Sequence, residues 1–416
     1  MKIIADLHIH SPYSRAVSRD MTLENLDHWA RLKGITVMGT GDFTHPAWIK
    51  EIKTKLEPAE QGLYQLKGAR SPTRFILTVE ISSIYSKNGK TRRVHSLIFM
   101  PSVESAEKIN AALGWRGNIK SDGRPILGLD AKELLKIVLD IDTSAMVVPA
   151  HCWTPWFSVF GSMSGFDSLE ECYDEYAKHI YAVETGLSSD PAMNWRLSRL
   201  DKIALISNSD SHSLRRIGRE ANVMEAELTY DGIMAAITSH DPRRFLFTVE
   251  FFPEEGKYHY DGHRNCGFSS SPGETKKLDK LCPKCGKPVT VGVMYRVDEL
   301  ADRPAGSAPP LGAIPYKSMV PLDEIIGEAF GVGAASKRVK EEYQNIIAEL
   351  GSEFSVVIDA SRSDLAAATA PEVAEGIMRV REGRLHIEPG YDGEYGHVKI
   401  FDRGEQIASS PQSSLF

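Results

Sequence analysis

The chain has 416 residues, 42% of them hydrophobic and 25% charged, with a formal net charge of −7. That is the composition of a globular protein with a large core, long enough for two or three domains, and its acidity excludes a protein that coats nucleic acid with its whole surface, leaving only local patches. No apolar run approaches the roughly 18 residues of a membrane helix, and five cysteines, three of them clustered, do not form a secreted disulfide framework. The start of the chain reads as a strand rather than a signal peptide. The expectation is a soluble cytoplasmic protein with no membrane partner, in which nothing demands more than a monomer.

Residues 1–250 alternate short apolar runs (2–5, 35–38, 75–79, 94–99, 146–149, 180–183, 203–206) with amphipathic stretches such as 23–32, 131–139 and 168–178. Strand-helix alternation predicts an α/β fold with parallel pairing, and seven strands in this length are nearer a barrel than an open sheet. Residues 251–300 hold three cysteines and two histidines and predict a small zinc-binding module. Residues 301–416 form the third part and carry the whole negative excess; they open on a Pro/Gly-rich stretch at 303–312 and hold a helical stretch at 337–350 and a hairpin-like segment around 384–401.

The strongest signal is the placement of ionisable residues at strand ends. In chain order these are His8 and His10, Asp42 and His45, Glu80, His95, His151, and Asp210 with His212. His8 and His10 alternate and so share a face. In parallel barrels, catalytic side chains project from such ends. A mixed set of imidazoles and carboxylates suits zinc, manganese or a similar divalent ion. The inventory exceeds what one ion needs, so two to three ions (Zn, Mn or Mg) are implied, with Glu80 a natural bridge and Glu80, His151 and Asp210 the expected catalytic group. Divalent ions make hydroxide from water and steady the charge of an in-line attack on phosphorus. No Gly-x-Ser-x-Gly or Walker phosphate loop offers another chemistry.

Taken in that order, these motifs resemble the PHP (polymerase and histidinol phosphatase) phosphoesterase family over roughly the first 225 residues. The resemblance implies a distorted (βα)7 barrel; the zinc module and an α+β C-terminal region, read from the later residues, would follow it. It also implies a trinuclear site. His8, His10, Glu80 and Asp210 would hold one ion, and Glu80, His95 and His151 a second. His212 would hold the third with either Asp42 or His45. The family's Thr-Asp-His is here Gly41-Asp42-Phe43, and its ligand after the His-x-His falls near Ala16, with Asp20 the nearest acid.

His263-x2-Cys266-x15-Cys282-x2-Cys285-Gly286 has the spacing of a closed Cys3His zinc site, with His259 in reserve for His263. Basic clusters flank proposed ligands: Lys90, Arg92 and Arg93 before His95, and Arg215, Arg216 and Arg219 after His212. Lys337 and Arg338 follow a Gly-x-Gly turn that resembles a helix-hairpin-helix element. These are the candidate DNA contacts. Trp153, Trp156, Phe157 and Phe160 form a candidate base pocket or, equally, a core lid. The final Gln412–Phe416 resembles the start of a sliding-clamp (PCNA) binding box, or is an accidental Ser-rich tail.

The combination of PHP barrel, zinc module and the tail segment around 387–396 resembles the endonuclease Q family over essentially the whole chain. That resemblance implies a DNA repair enzyme cutting 5′ to uracil, hypoxanthine, xanthine and abasic sites. A PHP small-molecule phosphoesterase and a catalytically inactive repair adaptor are the other readings.

Overall fold

The computed structural model describes residues 1–402. An Asn88-Gly89 pair sets its longest feature. Both residues have positive φ, 53° and 71°, as two-residue hairpin loops require. They join strand Arg74–Lys87 to strand Lys90–Met100 in an antiparallel ladder from Leu77↔Met100 to Lys87↔Lys90. This corrects the expectation of parallel pairing throughout. The runs at 75–79 and 94–99 are two arms of one hairpin, with no helix between them.

Around the hairpin the pairing is mixed, so the fold is mixed α/β. Lys2–Asp6, Val37–Gly39 and Arg74–Lys87 pair in parallel, as do Ala182–Glu184 and Ala204–Ile206. Met146–Pro149 runs antiparallel to Lys90–Met100. Ala221–Glu225 lies antiparallel to both Lys2–Asp6 and Phe245–Glu250. Helices join several of these strands with ordinary caps: the Thr22 hydroxyl accepts from Asn25 N–H to start Leu23–Lys33, and Gly34 ends it.

Period-two alternation then separates core from chemistry. Ile76, Thr78, Glu80 and Ser82 share one face of their strand, and His95, Leu97 and Phe99 share the facing register of its partner. The apolar members join Ile3, Leu7, Val148, Ile206 and Met224 in one buried cluster beneath helix Tyr230–Ile237. The ionisable members lie at the opposite end of the same faces.

Beyond residue 250, strands Asp261–His263 and Phe268–Ser270 form a small hairpin. Strand Tyr316–Ser318 returns to pair with Phe245–Glu250. Helices Leu322–Ala329, Lys337–Leu350 and Pro371–Glu382 follow, then a hairpin of His386–Glu388 with His397–Lys399. A buried ion pair ties this region to the first helix: Lys33 Nζ lies 2.7 Å from Glu353 Oε2, with only 3% and 5% of the two side chains exposed. Glu353 also accepts from Leu322 N–H and the Tyr343 hydroxyl. Losing one partner of so buried a pair costs about 3–5 kcal/mol.

Glu250, fully buried, accepts from the hydroxyls of Thr185 and Thr248. Burial pushes its carboxyl up to about 8, and burial pushes Glu220 up as well. An acid whose folded value exceeds its unfolded one carries no penalty below the unfolded value and loses stability as pH climbs towards the folded value. Glu250→Gln is therefore expected to melt higher than the wild type at about pH 8, with the gain gone by about pH 4; thermal denaturation at the two pH values reads it.

Candidate functional site

The ionisable strand ends converge. His8, His10, Glu80 and Asp210 each offer a ligand atom, all within 4.8 Å of one another, and Glu80, His95 and His151 form a second such group. Glu80 belongs to both. Its Oε1 lies 2.6 Å from His95 Nδ1 and 3.0 Å from His151 Nε2. Its Oε2 lies 3.3 Å from His10 Nε2 and 3.7 Å from His8 Nε2. Asp210 Oδ1 closes the first group at 3.1 Å from His10 Nε2.

The electrostatics match the geometry. Burial alone would raise both acids, but His8 and His10 hold Asp210 well below the usual carboxylate range, and His95 with Arg124 does the same for Glu80. Burial pulls His95 down to about 4 against the upward pull of Glu80. His8 supplies the test of fit for a metal. Its Nδ1 is held by Glu184 at 3.0 Å, yet its Nε2 is buried without a hydrogen-bond partner among the described residues. An orphaned imidazole nitrogen aimed at two carboxylates is what an ion would satisfy.

The backbone at these positions is unusual. Asp42, His151 and Asp210 have φ of 50°, 30° and 45°, the left-handed region that costs non-glycine residues free energy and recurs at functional sites. Gly186, at φ 60°, packs so close to His151 that a Cβ there would collide with it. Gly123 likewise lies against Asp42 with no room for a side chain.

Among the described residues no third group of three or more candidate ligands gathers around His212. Asp42 is spent on orientation: its Oδ1 lies 3.0 Å from His10 Nδ1, and Oδ2 accepts from Ser11 N–H and from the hydroxyls of Ser11 and Ser14. His45 stacks on Tyr13 with Nδ1 buried and unpaired. His212 is tied to the Asp210 carbonyl through Nδ1 at 2.9 Å, its ring 4.7 Å from that of His10.

Three site residues escaped the sequence reading. Glu184, at the end of Ala182–Glu184, binds His8 Nδ1, His151 N–H and Asn208; its place at a strand end was the available signal. Arg124 donates to Glu80 Oε2 at 3.1 Å. Ser82 Oγ lies 3.1 Å from His95 Nε2. Nothing in the local sequence marks the last two.

A cavity of about 430 Å³ opens over His95, His151, Asp210 and Arg124. Beside it lies a second of about 390 Å³, lined by Pro253, Tyr258, His259 and Val293. Thr154, Trp156, Phe157 and Ser188 line both. Trp156 and Phe157 thus stand where a base pocket was expected. Trp153 does not: it is 1% exposed, packs on Phe160 and donates Nε1 to Asn194 at 2.8 Å, which makes it core.

Several expected DNA contacts are likewise structural. The Arg92 guanidinium is buried over Phe166 and donates to the Gly165 carbonyl. Arg93 leans towards the Phe157 ring. Arg215 and Arg216 pair with Asp323 and Glu324 of the C-terminal region. Arg219 donates to the Ser209 carbonyl at 2.9 Å, and burial lowers its basicity. Arg338 lies 3.8 Å above the Phe330 ring, while Lys337 pairs loosely with Glu341. Lys90 is exposed. Charged side chains were spent on fastening segments together.

In the small module, His263, Cys266, Cys282 and Cys285 bring four ligand atoms within 4.8 Å, with Cys285 Sγ 3.3 Å from His263 Nδ1. His259 is elsewhere, buried against the second cavity, where burial lowers it to about 4. The tail 412–416 lies outside the described residues. Among the described residues no helix is long and apolar enough to cross a membrane.

Comparisons with known proteins agree with this geometry. Residues 321–384 match the family model for the MJ0043 C-terminal domain. MJ0043 of Methanocaldococcus jannaschii is 34% identical over 258 residues, covering 60% of this chain but only 31% of that protein. YqxK of Bacillus subtilis is 30% identical over 414 residues, 96% of this chain and 99% of that one. The crystal structure of the lesion-specific endonuclease PfuEndoQ from Pyrococcus furiosus superposes with a TM-score of 0.85 at 34% identity, over 96% of this chain and 95% of that one. Endonuclease Q bound to a 27-mer duplex with an abasic lesion at its active site superposes at 0.84 with 35% identity, over 97% and 98%. The site, two adjoining groups of candidate metal ligands under one cavity, is that of a hydrolase of the nuclease class. The chain belongs to the endonuclease Q family.

Glu184 generates a prediction here. Partners behind metal-binding histidines typically matter 10- to 100-fold for metal affinity. Glu184→Ala is expected to weaken divalent-metal binding by about that factor, read by titration calorimetry, while Glu184→Gln retains part of it.

Proposed function

We propose that this protein is a DNA repair endonuclease that nicks the strand 5′ to deaminated bases (uracil, hypoxanthine, xanthine) and abasic sites. The observation that supports it most is Glu80, whose two oxygens serve two separate ligand groups at the floor of a cavity that continues into an aromatic-lined side cavity. His8, His10, Glu80 and Asp210 would hold one divalent ion, and Glu80, His95 and His151 another; zinc, manganese and magnesium all suit such ligands. When bound, the ions would supply hydroxide and neutralise charge on the phosphate. We read the strand circuit around the site as the distorted PHP barrel.

The protein's own residues do the rest. Glu184 fixes the His8 tautomer by engaging Nδ1, and Asp42 does so for His10. Arg124, held by Glu80, presents a guanidinium to the cavity where a phosphodiester would lie, suited to the extra charge of its transition state. A damaged base pairs poorly, so moving it out of the stack costs less than for a normal pair. Trp156 and Phe157 would receive it, since aromatic faces stack any base. His263, Cys266, Cys282 and Cys285 would hold one structural zinc, which orders a segment with little apolar material of its own.

A labelled duplex with one deoxyuridine tests the reading. The expected result is a nick 5′ to the lesion that needs divalent metal, is abolished in Asp210→Ala, and falls about 10²- to 10³-fold in Arg124→Gln. Hydrolysis only of small monophosphates would instead show a small-molecule phosphoesterase, and lesion binding without turnover an adaptor. Separately, the double substitution Cys282→Ser, Cys285→Ser is expected to lose about one zinc per chain by mass spectrometry.

A further inference from the structure

Opposite Trp156, the mouth of the metal cavity is built by the loop 115–126, and this loop carries an exposed apolar side chain. Ile126 is 59% exposed and lines the cavity entrance beside Arg15, Asp122 and Arg124. A single exposed aliphatic side chain is ordinary on a protein surface; what sets Ile126 apart is its place beside Arg15, Asp122 and Arg124 at the cavity over the candidate ligands.

The side chain is exposed but its backbone is fixed. Ile126 and Leu127 form a short strand parallel to Ser82 and Ser83, and the Pro125 carbonyl accepts from Ser82 N–H at 3.1 Å. Leu127 is fully buried, so the alternation turns Ile126 outward. The loop is anchored again at Gly123, whose N–H donates to the Tyr13 carbonyl at 3.0 Å and whose Cα packs on Asp42. Ile126 is therefore a rigid apolar point. It stands two residues from Arg124, which touches Glu80, and on the same strand pairing as Ser82, which touches His95.

Arg15 and Arg124 line the cavity with that point, together with the acid Asp122. The Arg15 side chain is 85% exposed, and Arg116 and Lys120 are exposed on the same loop, as is Trp115 at 91%. Asp122 is the loop's one acid. An apolar point beside two arginines suits a polyanion that has an apolar interior, which is a base-paired duplex. Apolar side chains of this size are known to enter a base step and hold it open while cations grip the flanking phosphates.

We propose that Ile126 is the strand-opening wedge: it enters the stack at the place left by the extruded nucleotide, while Arg15 and Arg124, which line the same cavity, hold the backbone beside it. This rests on the endonuclease reading above. It makes Ile126 a positioning residue, needed for a paired lesion and dispensable where no stack must be opened.

The test compares one lesion in three settings: a full duplex, a single strand, and an unpaired bubble. For Ile126→Ala the ratio of duplex to single-strand cleavage is expected to fall about tenfold, with the bubble restoring the rate. Ile126→Leu is expected to keep the wild-type ratio, since it keeps the apolar bulk. A base analogue that fluoresces when unstacked, placed beside the lesion, should brighten on binding wild type and not Ile126→Ala. An unchanged ratio for Ile126→Ala, or an equal loss on all three substrates, overturns the wedge. Wild-type protein that cuts none of the three would instead overturn the endonuclease reading, a distinct outcome.

Discussion

The site depends on one carboxylate facing two ways. Glu80 Oε1 is bracketed by His95 and His151 and Oε2 by His10 and His8. A buried carboxylate survives only if its charge is met, and here four imidazoles and Arg124 meet it. The long Asn-Gly hairpin supplies Glu80 and His95 from neighbouring arms, so a local turn fixes their registry before any distant contact does. His8, His151 and Asp210 must then be brought in from three other strand ends, and Glu184 and Asp42 aim the rings they present.

Much of the site was legible in the sequence because strand ends carry few meanings. An imidazole or acid closing an apolar run is conspicuous, and eight of the nine such residues, His45 excepted, do line or touch the two ligand groups. What was hidden obeyed no local pattern. Arg124 sits in a loop with no flanking signal and gains its role only from the cavity above Glu80. Asp42 reads as a ligand in one dimension; in three its Oδ2 accepts from Ser11 and Ser14 and its Oδ1 meets His10. The antiparallel hairpin was legible in principle, because Asn-Gly between two apolar runs is a strong turn signal that the alternating texture of the region overrode.

Basic residues misled for a physical reason. Proximity in sequence to a ligand suggested that Arg92, Arg215, Arg216 and Arg219 face substrate. Guanidinium groups also make good clamps, since their planar donors reach carbonyls and carboxylates at once. Here Arg215 and Arg216 join the C-terminal helices to the segment just after His212, and Arg92 and Arg219 satisfy carbonyls inside the fold. Arg124 differs in its partner: it is held by Glu80 at the site itself, which leaves its guanidinium lining the cavity.

The buried Lys33–Glu353 contact bears on how separable the parts of this chain are. Residues 321–384 can be outlined as a unit of their own, which invites excising them. Such an excision would take away the counter-charge of Lys33 together with the segment that covers it, and would open the apolar core that both parts share. The two halves are therefore obliged to travel together, and a gene fission between them would carry a folding penalty from its first generation.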